Sequence, residues 1–422
     1  MTLKKRQSIF GKDSTVKGKQ RIYNSLVDTV GLEKFSLLPK YIKRKLKKFL
    51  VSLARENSFF HLFGLVACKS YIQINPSNVA KNLPESDLIT VKTILEQNDK
   101  PTKAAIYLQE QKIAAIQPIT PQTETVILEI KNCNFSLRNN HLLDGKMNVL
   151  DEAGMQFERM PVREKFLSKP QKISGTVAYL TNVDPLNYYH WLCRTLPLLR
   201  LYKKFFDFSQ IEFFYIGEFP LANFHRESLI RAGIRENQIL QKACTAEKIV
   251  AAISSRAKYF GSAPINQENY LFSRSLFKEE IKLGKQQTPK RIYVQRGKVK
   301  RRKVVNEKKV ISLLASYGFQ PVTMESKTIK EQAEIFAQAE AIIAPHGAAL
   351  TNLLFIQPGT KVIELLPYGY TNNCYYVMTD YGGGQYFYLQ GKSINQDSQQ
   401  MHNLDISLDI AQLKQICQLA FS

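Results

Sequence analysis

Apolar and polar residues in the second half of the chain follow the pattern of an α/β protein. Ala341–Ala344 is a short apolar run that predicts a buried parallel strand, and Lys361–Leu366 predicts the next strand. Between these runs, Leu350, Leu353 and Leu354 share one face of a short helix that Gln357-Pro358-Gly359 ends. The pattern therefore predicts a strand, a glycine loop, a helix and a second strand in succession.

A similar alternation runs through the first half of the chain. It predicts strands at Val126–Ile130, Thr176–Leu180 and Ile211–Ile216, a helix at Leu192–Phe206, and a final helix at Leu408–Leu419. Strands that alternate with helices favour a doubly wound sheet. At 422 residues the chain is long enough for two domains with full cores.

The glycine loop is a candidate anion site. Gly347 lets the backbone bend closely before the helix, whose first N–H groups and positive dipole end suit a phosphate. His346, Ala348, Thr351 and Asn352 surround that position, and Glu364 lies near the carboxyl end of the next strand, where ligands collect. Such a unit also occurs without a ligand, so a purely structural loop is the alternative.

A basic stretch precedes this loop by about fifty residues. Arg291–Gln295 predicts a strand, and the run after it contains Arg296, Arg301 and Arg302 before Asn306. Arginines at a strand end can bind a diphosphate bidentately. The alternatives are a solvated basic loop and, for Asn306, a helix cap.

Taken together, these segments resemble glycosyltransferase family 61. The family has a strand followed by an arginine-rich stretch ending in Asn, as in Arg296–Asn306, and the motif HGAGLTN, which matches His346–Asn352. A following F..PG..VIE pattern matches Phe355, Pro358-Gly359 and Val362–Glu364. An aromatic segment around a histidine matches Asn187–Trp191, and the one departure is Ala349 where a second glycine is usual. The resemblance covers about residues 120–390.

The resemblance implies a GT-B fold, in which two Rossmann-like domains face each other across a cleft, and it implies inverting sugar transfer. We expect a basic N-terminal arm with helices at 1–84, an acceptor-side domain at 85–283, a nucleotide-sugar-binding domain at 290–400 and a C-terminal helix at 401–422. Donor-binding residues are then expected among Arg296, Arg301, Arg302, Asn306, His346, Gly347, Ala348, Thr351, Asn352 and Glu364.

Sugar transfer requires a stabilised leaving diphosphate and a base for the acceptor hydroxyl. The sequence contains no Asp-x-Asp and no metal-ligand spacing among its six histidines, so protein cations are expected to replace a metal, and no cofactor beyond the nucleoside diphosphate sugar is expected. For the base we consider His190 and, second, Asp184, with Asn187, Tyr189 and Trp191 on the acceptor side. The alternative for His190 is a buried, hydrogen-bonded histidine.

Net charge and cysteine usage bear on location. Residues 1–50 contain fourteen Lys/Arg and three Asp/Glu within a total net charge of +23, and Tyr41–Leu53 fits a basic amphipathic helix. This favours peripheral contact with an anionic membrane, and a helix packed on the first domain is the alternative. The cysteines are scattered and form no C-x-x-C, and the sequence has neither a run of eighteen apolar residues nor a secretory signal. We therefore expect a cytoplasmic protein that lies peripherally at the inner face of the membrane.

Two other functions fit the sequence less well. A dinucleotide-dependent oxidoreductase would need G-x-G-x-x-G before a helix, whereas Gly382-Gly383-Gly384 precedes an aromatic strand and reads as a turn. A noncatalytic glycan- or nucleic-acid-binding protein could use the basic surface, although no nucleic-acid motif is present and no nucleic-acid partner is expected. The preferred hypothesis is a metal-independent, inverting glycosyltransferase that acts on a glycan or lipid-linked glycan in polysaccharide biosynthesis.

Overall fold

The computed structural model describes residues 71–73, 88–96, 103–108, 116, 123–131, 135–138, 141–143, 149–151, 170–181, 184–254, 265–283, 288–297, 299, 301–392 and 403–421. The predicted basic helix at Tyr41–Leu53 lies outside these residues, as do most of the predicted arm at 1–84 and most of the stretch between the two predicted domains. Among the described helices, each is too short or too polar to cross a bilayer.

Two sheets organise the described residues into a mixed α/β structure. The first contains β1 (Tyr71–Gln73), β2 (Leu88–Glu96), β3 (Thr123–Lys131), β4 (Ser136–Arg138), β5 (His141–Leu143), β6 (Val149–Asp151), β7 (Gln171–Tyr179), β8 (Ile211–Tyr215), β9 (Ile239–Leu240) and β10 (Cys244–Ser254). The second contains β11 (Arg291–Gln295), β12 (Gln320–Thr323), β13 (Ala341–Pro345), β14 (Lys361–Leu366) and β15 (Gln385–Gln390).

The helices in the described part connect these strands. They are α1 (Tyr188–His190), α2 (Leu198–Phe205), α3 (Asn223–Arg231), α4 (Gln267–Ser275), α5 (Lys278–Leu283), α6 (Glu307–Ala315), α7 (Ile329–Gln338), α8 (Cys374–Tyr381) and α9 (Ile410–Phe421). A π-helix at Trp191–Thr195 follows α1, and a 3₁₀ helix at Ala348–Leu354 follows β13.

The second sheet is parallel throughout, in the order β12-β11-β13-β14-β15. The predicted strands Arg291–Gln295 and Lys361–Leu366 are confirmed at both ends, and the predicted strand Ala341–Ala344 is confirmed with Pro345 added. The central residues of each of these strands are buried, as expected of parallel strands that are covered on both faces. On one face, Leu413 and Ile416 of α9 pack against Ile363.

The first sheet departs from the doubly wound pattern. β10, β7, β8 and β9 are parallel neighbours, but β10 also pairs antiparallel with β3 and β4, and β2 to β6 contain further antiparallel pairs. Alternation of apolar residues cannot distinguish these directions, because a half-buried strand has the same period in either one. Within the predicted arm, Tyr71–Gln73 is a strand on β6 rather than a helix.

The predicted helix at Leu192–Phe206 is divided into two parts. Trp191–Thr195 is a π-helix, and α2 begins only after Pro197. Proline has no N–H to donate to the preceding turn and its ring crowds the carbonyl four residues before it, so a regular helix cannot run through this position. The helical turn that follows His190 is therefore wider than an α-helical turn, and its side chains depart from α-helical spacing.

The two sheets share one apolar core in the described residues. Leu192 and Leu196 of the first half belong to the same buried cluster as Leu353 and Leu354 of the second half. In addition, the segment 103–108 pairs with β15, where Ile106 N–H donates to Tyr386 O at 3.0 Å and Tyr388 N–H donates to Ile106 O at 3.0 Å. This segment belongs to the first predicted domain, 85–283, but pairs with a strand of the second, 290–400. The division of the chain into these two domains stays a prediction.

Candidate functional site

The carboxyl ends of β11 and β13 form the centre of the site. From β11 the chain moves to β12 on one side and then returns to β13 on the other side, so the strand order reverses between β11 and β13. In open α/β sheets this reversal leaves a crevice where ligands bind. Arg296 follows β11 directly and His346 follows β13 directly, and Nη1 of Arg296 donates to the His346 carbonyl at 2.5 Å. The two predicted motifs therefore meet at this point.

Gly347 makes room for the Arg296 guanidinium. Its φ of 170° is extended backbone that any residue adopts, so the requirement for glycine is one of space rather than conformation. A Cβ at Gly347 would lie 2.4 Å from Nη1 of Arg296. The helix that follows is a seven-residue 3₁₀ helix, which begins at the half-buried Ala348. Because this helix is short, the positive charge at the site comes chiefly from arginine side chains.

A Gly347→Ala substitution should move Arg296 without unfolding the protein. The closest atom to the added methyl group is the end of a flexible side chain, which can shift at small cost. Loss of one charge-assisted hydrogen bond should weaken the affinity for a nucleoside diphosphate about tenfold. Calorimetric titration and thermal unfolding measure the two quantities. An unfolded variant, or one with unchanged affinity, would contradict this account of Gly347.

Positive charge is concentrated around Arg296. Burial lowers the pKa of Arg296, and the neighbouring charges of Arg302 and Arg301 act in the same direction. The Nε atoms of Arg296 and Arg302 are buried without a hydrogen-bond partner in the described structure. Arg302 also has a φ of 57°, the left-handed region that a residue with a side chain rarely adopts. Backbone strain of this kind is typical of ligand-binding sites, and a bound anion would relieve the crowding of like charges.

Two predicted donor residues bind the C-terminal segment through their side chains. Nη1 of Arg301 donates to Oδ1 of Asn403 at 2.7 Å on the surface. Asn306 binds both backbone groups of Leu408, donating to its carbonyl at 2.8 Å and accepting from its N–H at 3.1 Å. Asn306 begins α6 but makes no side-chain cap bond. The structure therefore places Arg301 and Asn306 against the C-terminal segment, because Val304 between them pairs with Ile406 of that segment.

His346 and Glu364 form a buried pair. Nδ1 of His346 donates a short hydrogen bond to Oε1 of Glu364, and the Tyr386 hydroxyl donates to Oε2 of Glu364 at 2.6 Å. The register of β13 and β14, with Ala344 opposite Glu364, brings the carboxylate next to His346. Glu364 is fully buried and both oxygens are engaged, so the predicted contact with ribose hydroxyls has no open path. Instead, the carboxylate fixes the ring orientation of His346.

Two tyrosines that sequence reasoning missed surround His346. The rings of Tyr370 and Tyr375 lie 5.1 and 5.2 Å from the imidazole ring of His346. The Tyr370 hydroxyl is 3.5 Å from Nε2 of His346 and accepts from Nδ2 of Asn372 at 3.0 Å. Burial raises the pKa of Tyr370 to about 12, so its hydroxyl stays protonated at neutral pH. The signal was the position of Tyr370, just after the carboxyl end of the predicted strand Lys361–Leu366.

On the first-half side, a short helix holds His190 beside Asp184. The side chain of Asn187 accepts from the N–H groups of Tyr189 and His190 at 3.0 and 3.4 Å, which starts α1. Asn187 therefore positions the helix. Nε2 of His190 lies 3.8 Å from Oδ2 of Asp184, and the two side chains are 22% and 61% exposed. The two predicted base candidates thus form an accessible pair, and His190 is not enclosed in the core.

Trp191 is buried, in contrast to its predicted place on the acceptor side. Its indole N–H donates to Oγ of Ser228 at 2.8 Å, and its ring packs against His225 at 4.6 Å. The next helical position after His190 points about 100° away, toward α3. His225 in turn contacts the Pro185 carbonyl through Nε2 at 2.9 Å, which fixes the loop before His190. Trp191 therefore packs beneath the site and does not line its surface.

Hydrogen bonds join the two histidine motifs. The Tyr188 hydroxyl donates to Oδ1 of Asn352 at 3.0 Å, and Nδ2 of Asn352 donates to Oε1 of Gln332 at 2.6 Å. Tyr189 packs edge-on against Tyr375 at 5.7 Å. Asn352 thus serves as a connection between the halves. Its neighbour Thr351 is fully buried, and its hydroxyl has no hydrogen-bond partner in the described residues.

No group of His, Cys, Asp and Glu side chains in the described residues could hold a metal ion. Residues 188–363 match a protein-family model, Glycosyltransferase 61. The match begins in the aromatic segment at Tyr188 and includes Arg296 and the loop at Gly347. A search of curated proteins gives no match.

Proposed function

We propose, from the match of residues 188–363 to the glycosyltransferase 61 family model, that the chain transfers a sugar from a nucleoside diphosphate sugar to a hydroxyl group of a glycan or lipid-linked glycan. We further propose that the transfer inverts the anomeric centre and needs no metal ion. The observation that carries this proposal is the contact between Arg296 and His346 at the strand reversal, on the opposite side of the tyrosine cluster from His190 and Asp184.

The proposed arrangement is of the GT-B type. The parallel sheet β12-β11-β13-β14-β15 would hold the donor, and the sheet that contains β7 and β8 would carry the acceptor side. Tyr189 lies between the two histidines, with its ring 5.6 Å from His190 and 5.7 Å from Tyr375. Tyr375 in turn contacts His346. A substrate that reaches both histidines would therefore lie along this row of rings.

Donor binding is assigned to Arg296, Arg302 and the backbone at Gly347. Arginine presents a planar fork that matches two phosphate oxygens. The unpartnered Nε atoms of both arginines give each side chain an unused donor for such a contact. His346, oriented by Glu364, would direct Nε2 toward the leaving phosphate. These groups supply the positive charge that a metal supplies in other glycosyltransferases.

Acceptor activation is assigned to His190 and Asp184. Their separation of 3.8 Å is too long for a direct hydrogen bond and allows one hydroxyl oxygen to bind both groups. Nε2 of His190 would take the hydroxyl proton as the acceptor oxygen bonds to the anomeric carbon. The bond from that carbon to the phosphate oxygen would break, leaving its electron pair on the nucleoside diphosphate beside Arg296.

Turnover should survive a chelator. If arginines neutralise the leaving diphosphate, an excess of EDTA should leave the initial rate of nucleoside diphosphate release unchanged, and added Mn²⁺ should not raise it. A coupled assay for nucleoside diphosphate measures this, with a metal-dependent glycosyltransferase as the positive control for chelation. Activity that is lost with EDTA and restored by Mn²⁺ would contradict the proposed mechanism.

We also propose a cytoplasmic, peripheral location at the inner face of the membrane, supported by the charge of residues 1–50. The full chain should then bind vesicles of anionic phospholipid but not neutral ones, and binding should fade as ionic strength rises. Co-sedimentation of the full chain and of a variant without residues 1–50 measures this. Equal binding of both proteins would refute a membrane role for the segment.

A further inference from the structure

Glu227 of α3 binds a helix that belongs to the other sheet. In the chain, α3 lies between β8 and β9 of the first sheet, whereas α7 lies between β12 and β13 of the second. The Glu227 carboxylate accepts from Ile329 N–H through Oε2 and from Lys330 N–H through Oε1, both at 2.8 Å. A negative charge at this end of α7 also interacts favourably with the helix dipole. Glu227 thus joins the two sides of the structure through both of its oxygens.

The N-terminus of α7 is fully hydrogen-bonded when Glu227 is in place. Thr328, the N-cap residue, accepts from Glu331 N–H through Oγ1 at 3.2 Å, and Oε2 of Glu331 accepts from Thr328 N–H at 2.8 Å. Together with the two N–H groups that bind Glu227, the four N–H groups that start this helix all have acceptors. This N-terminus is therefore a contact between two helices and not an anion site.

The start of α7 is connected to the donor side by two buried amide side chains. Gln332, in the first turns of α7, accepts from Nδ2 of Asn352 at 2.6 Å. Asn352 lies in the 3₁₀ helix that begins directly after Gly347, and its Nδ2 also donates to the Ala349 carbonyl at 3.0 Å. Both amides are buried. A displacement of α7 should therefore also displace the helix that follows Gly347.

The other end of the connection is the loop that carries Asp184. His225 lies two residues before Glu227 on α3, and its Nδ1 accepts from Ala222 N–H at 2.9 Å. Its Nε2 therefore carries the ring proton and donates to the carbonyl of Pro185, the residue after Asp184, at 2.9 Å. Helix α3 thus holds the loop of the proposed acceptor base with one side chain and α7 with another.

These contacts form a closed circuit. The Tyr188 hydroxyl donates to Oδ1 of Asn352 at 3.0 Å, and the Tyr188 ring packs edge-on against Phe224 of α3 at 5.3 Å. The circuit therefore passes from α3 through α7, the 3₁₀ helix after Gly347 and α1, and returns to α3. Elements joined in this way cannot move independently, because a shift of one strains the contacts of the others.

We infer that Glu227 is a positioning residue, which fixes the separation between the acceptor base at His190 and Asp184 and the donor groups at Arg296 and His346. This inference rests on the proposed function and adds a residue that does not touch the substrate. Sugar transfer needs the reacting atoms about 3–3.5 Å apart, and a displacement of about 1 Å can lower the rate 10²-fold. Loss of the contact should therefore lower kcat and spare nucleotide binding.

The test compares full-length Glu227→Gln with Glu280→Gln as the matched control. Glutamine has one acceptor oxygen in place of two, so it cannot bind both N–H groups of α7 in the same way. Glu280 also binds α3, where it accepts from Nη1 and Nη2 of Arg231 at 3.1 and 2.7 Å, and it is only 8% exposed. Its substitution should lower thermal stability at least as much, because it removes one charge of a buried pair.

Steady-state kinetics and calorimetric titration with a nucleoside diphosphate measure the effect. In Glu227→Gln, kcat should be about tenfold lower, while the nucleotide Kd stays within about twofold of wild type. Glu280→Gln should keep the kcat of wild type despite its lower stability. An unchanged kcat in Glu227→Gln, an equal loss of kcat in both variants, or nucleotide binding weakened as much as kcat would overturn the inference.

Hydrogen exchange supplies a second measurement that needs no activity. In Glu227→Gln, the amides of residues 185–190 and 348–354 should exchange faster than in wild type, whereas Glu280→Gln should leave them unchanged. Unchanged exchange in both segments of Glu227→Gln would refute the coupling through α3. A wild type that transfers no sugar would refute the proposed function, and the exchange result would still show whether Glu227 joins the two segments.

Discussion

Arg296→Ala is expected to lower kcat/KM by about 10²- to 10³-fold, the effect of removing one preorganised donor to developing negative charge. The guanidinium lies against the backbone at Gly347 and donates to the His346 carbonyl, so it is held at the strand reversal before any ligand arrives. Burial and the charge of Arg302 already lower its pKa. The negative charge of a bound diphosphate would offset the repulsion between Arg296 and Arg302. The free energy of nucleotide binding should therefore depend strongly on Arg296.

The chain offers matched controls for this prediction. Arg226→Ala removes a surface arginine whose Nε donates to Glu236 at 3.0 Å, and it should leave activity unchanged. Arg296→Lys keeps the charge but loses the planar fork, so its activity should lie between wild type and Arg296→Ala. Steady-state kinetics and nucleotide-induced thermal shifts measure the effect. If Arg296→Ala bound nucleotide as tightly as wild type, the assignment of Arg296 to the donor site would be wrong.

Glu364→Ala should produce the largest loss of stability. The substitution leaves Nδ1 of His346 and the Tyr386 hydroxyl buried without their acceptor, and it leaves a cavity beside β13. Each unsatisfied group costs about 1–3 kcal/mol, so the free energy of unfolding should fall by about 3 kcal/mol or more. Urea denaturation followed by circular dichroism measures this difference. A change below about 1 kcal/mol would show that the buried pair contributes little.

Glu364→Gln separates the structural role from the charge. An amide can keep both hydrogen bonds, accepting from His346 through its oxygen and meeting the Tyr386 hydroxyl through its nitrogen. Stability should therefore stay closer to wild type, whereas kcat should fall because the negative charge behind His346 is lost. If Glu364→Gln retained full kcat and Glu364→Ala lost it only through unfolding, the pair would be structural and His346 would have no part in transfer.

Three strands of the second half were predictable because their central residues are buried on both faces. A continuous apolar run such as Ala341–Ala344, which Pro345 ends, has few alternative structures. The role of Glu364 was not predictable, because it depends on the pairing register that places Ala344 opposite it. A carboxylate at a strand end has the same sequence context whether it faces a ligand or a neighbouring histidine.

The first half was less predictable for two physical reasons. Strand direction depends on pairing across the sheet. The spacing of apolar residues therefore could not predict that β10 has antiparallel neighbours. The direction of side chains after α1 depends on a π-helix, which shifts every later position. The contact between His190 and Asp184 and the burial of Trp191 against α3 both depend on tertiary packing, which local sequence patterns do not specify.

A crystal structure with a bound nucleoside diphosphate, grown without divalent metal, would test the central claim most directly. The ligand would be the one that gives the largest stabilising thermal shift. The diphosphate should lie at the carboxyl ends of β11 and β13, with Arg296 on its oxygens and Nε2 of His346 facing the phosphate that leaves the sugar. A diphosphate bound elsewhere, or one that Arg296 does not contact, would contradict the assignment of the donor site.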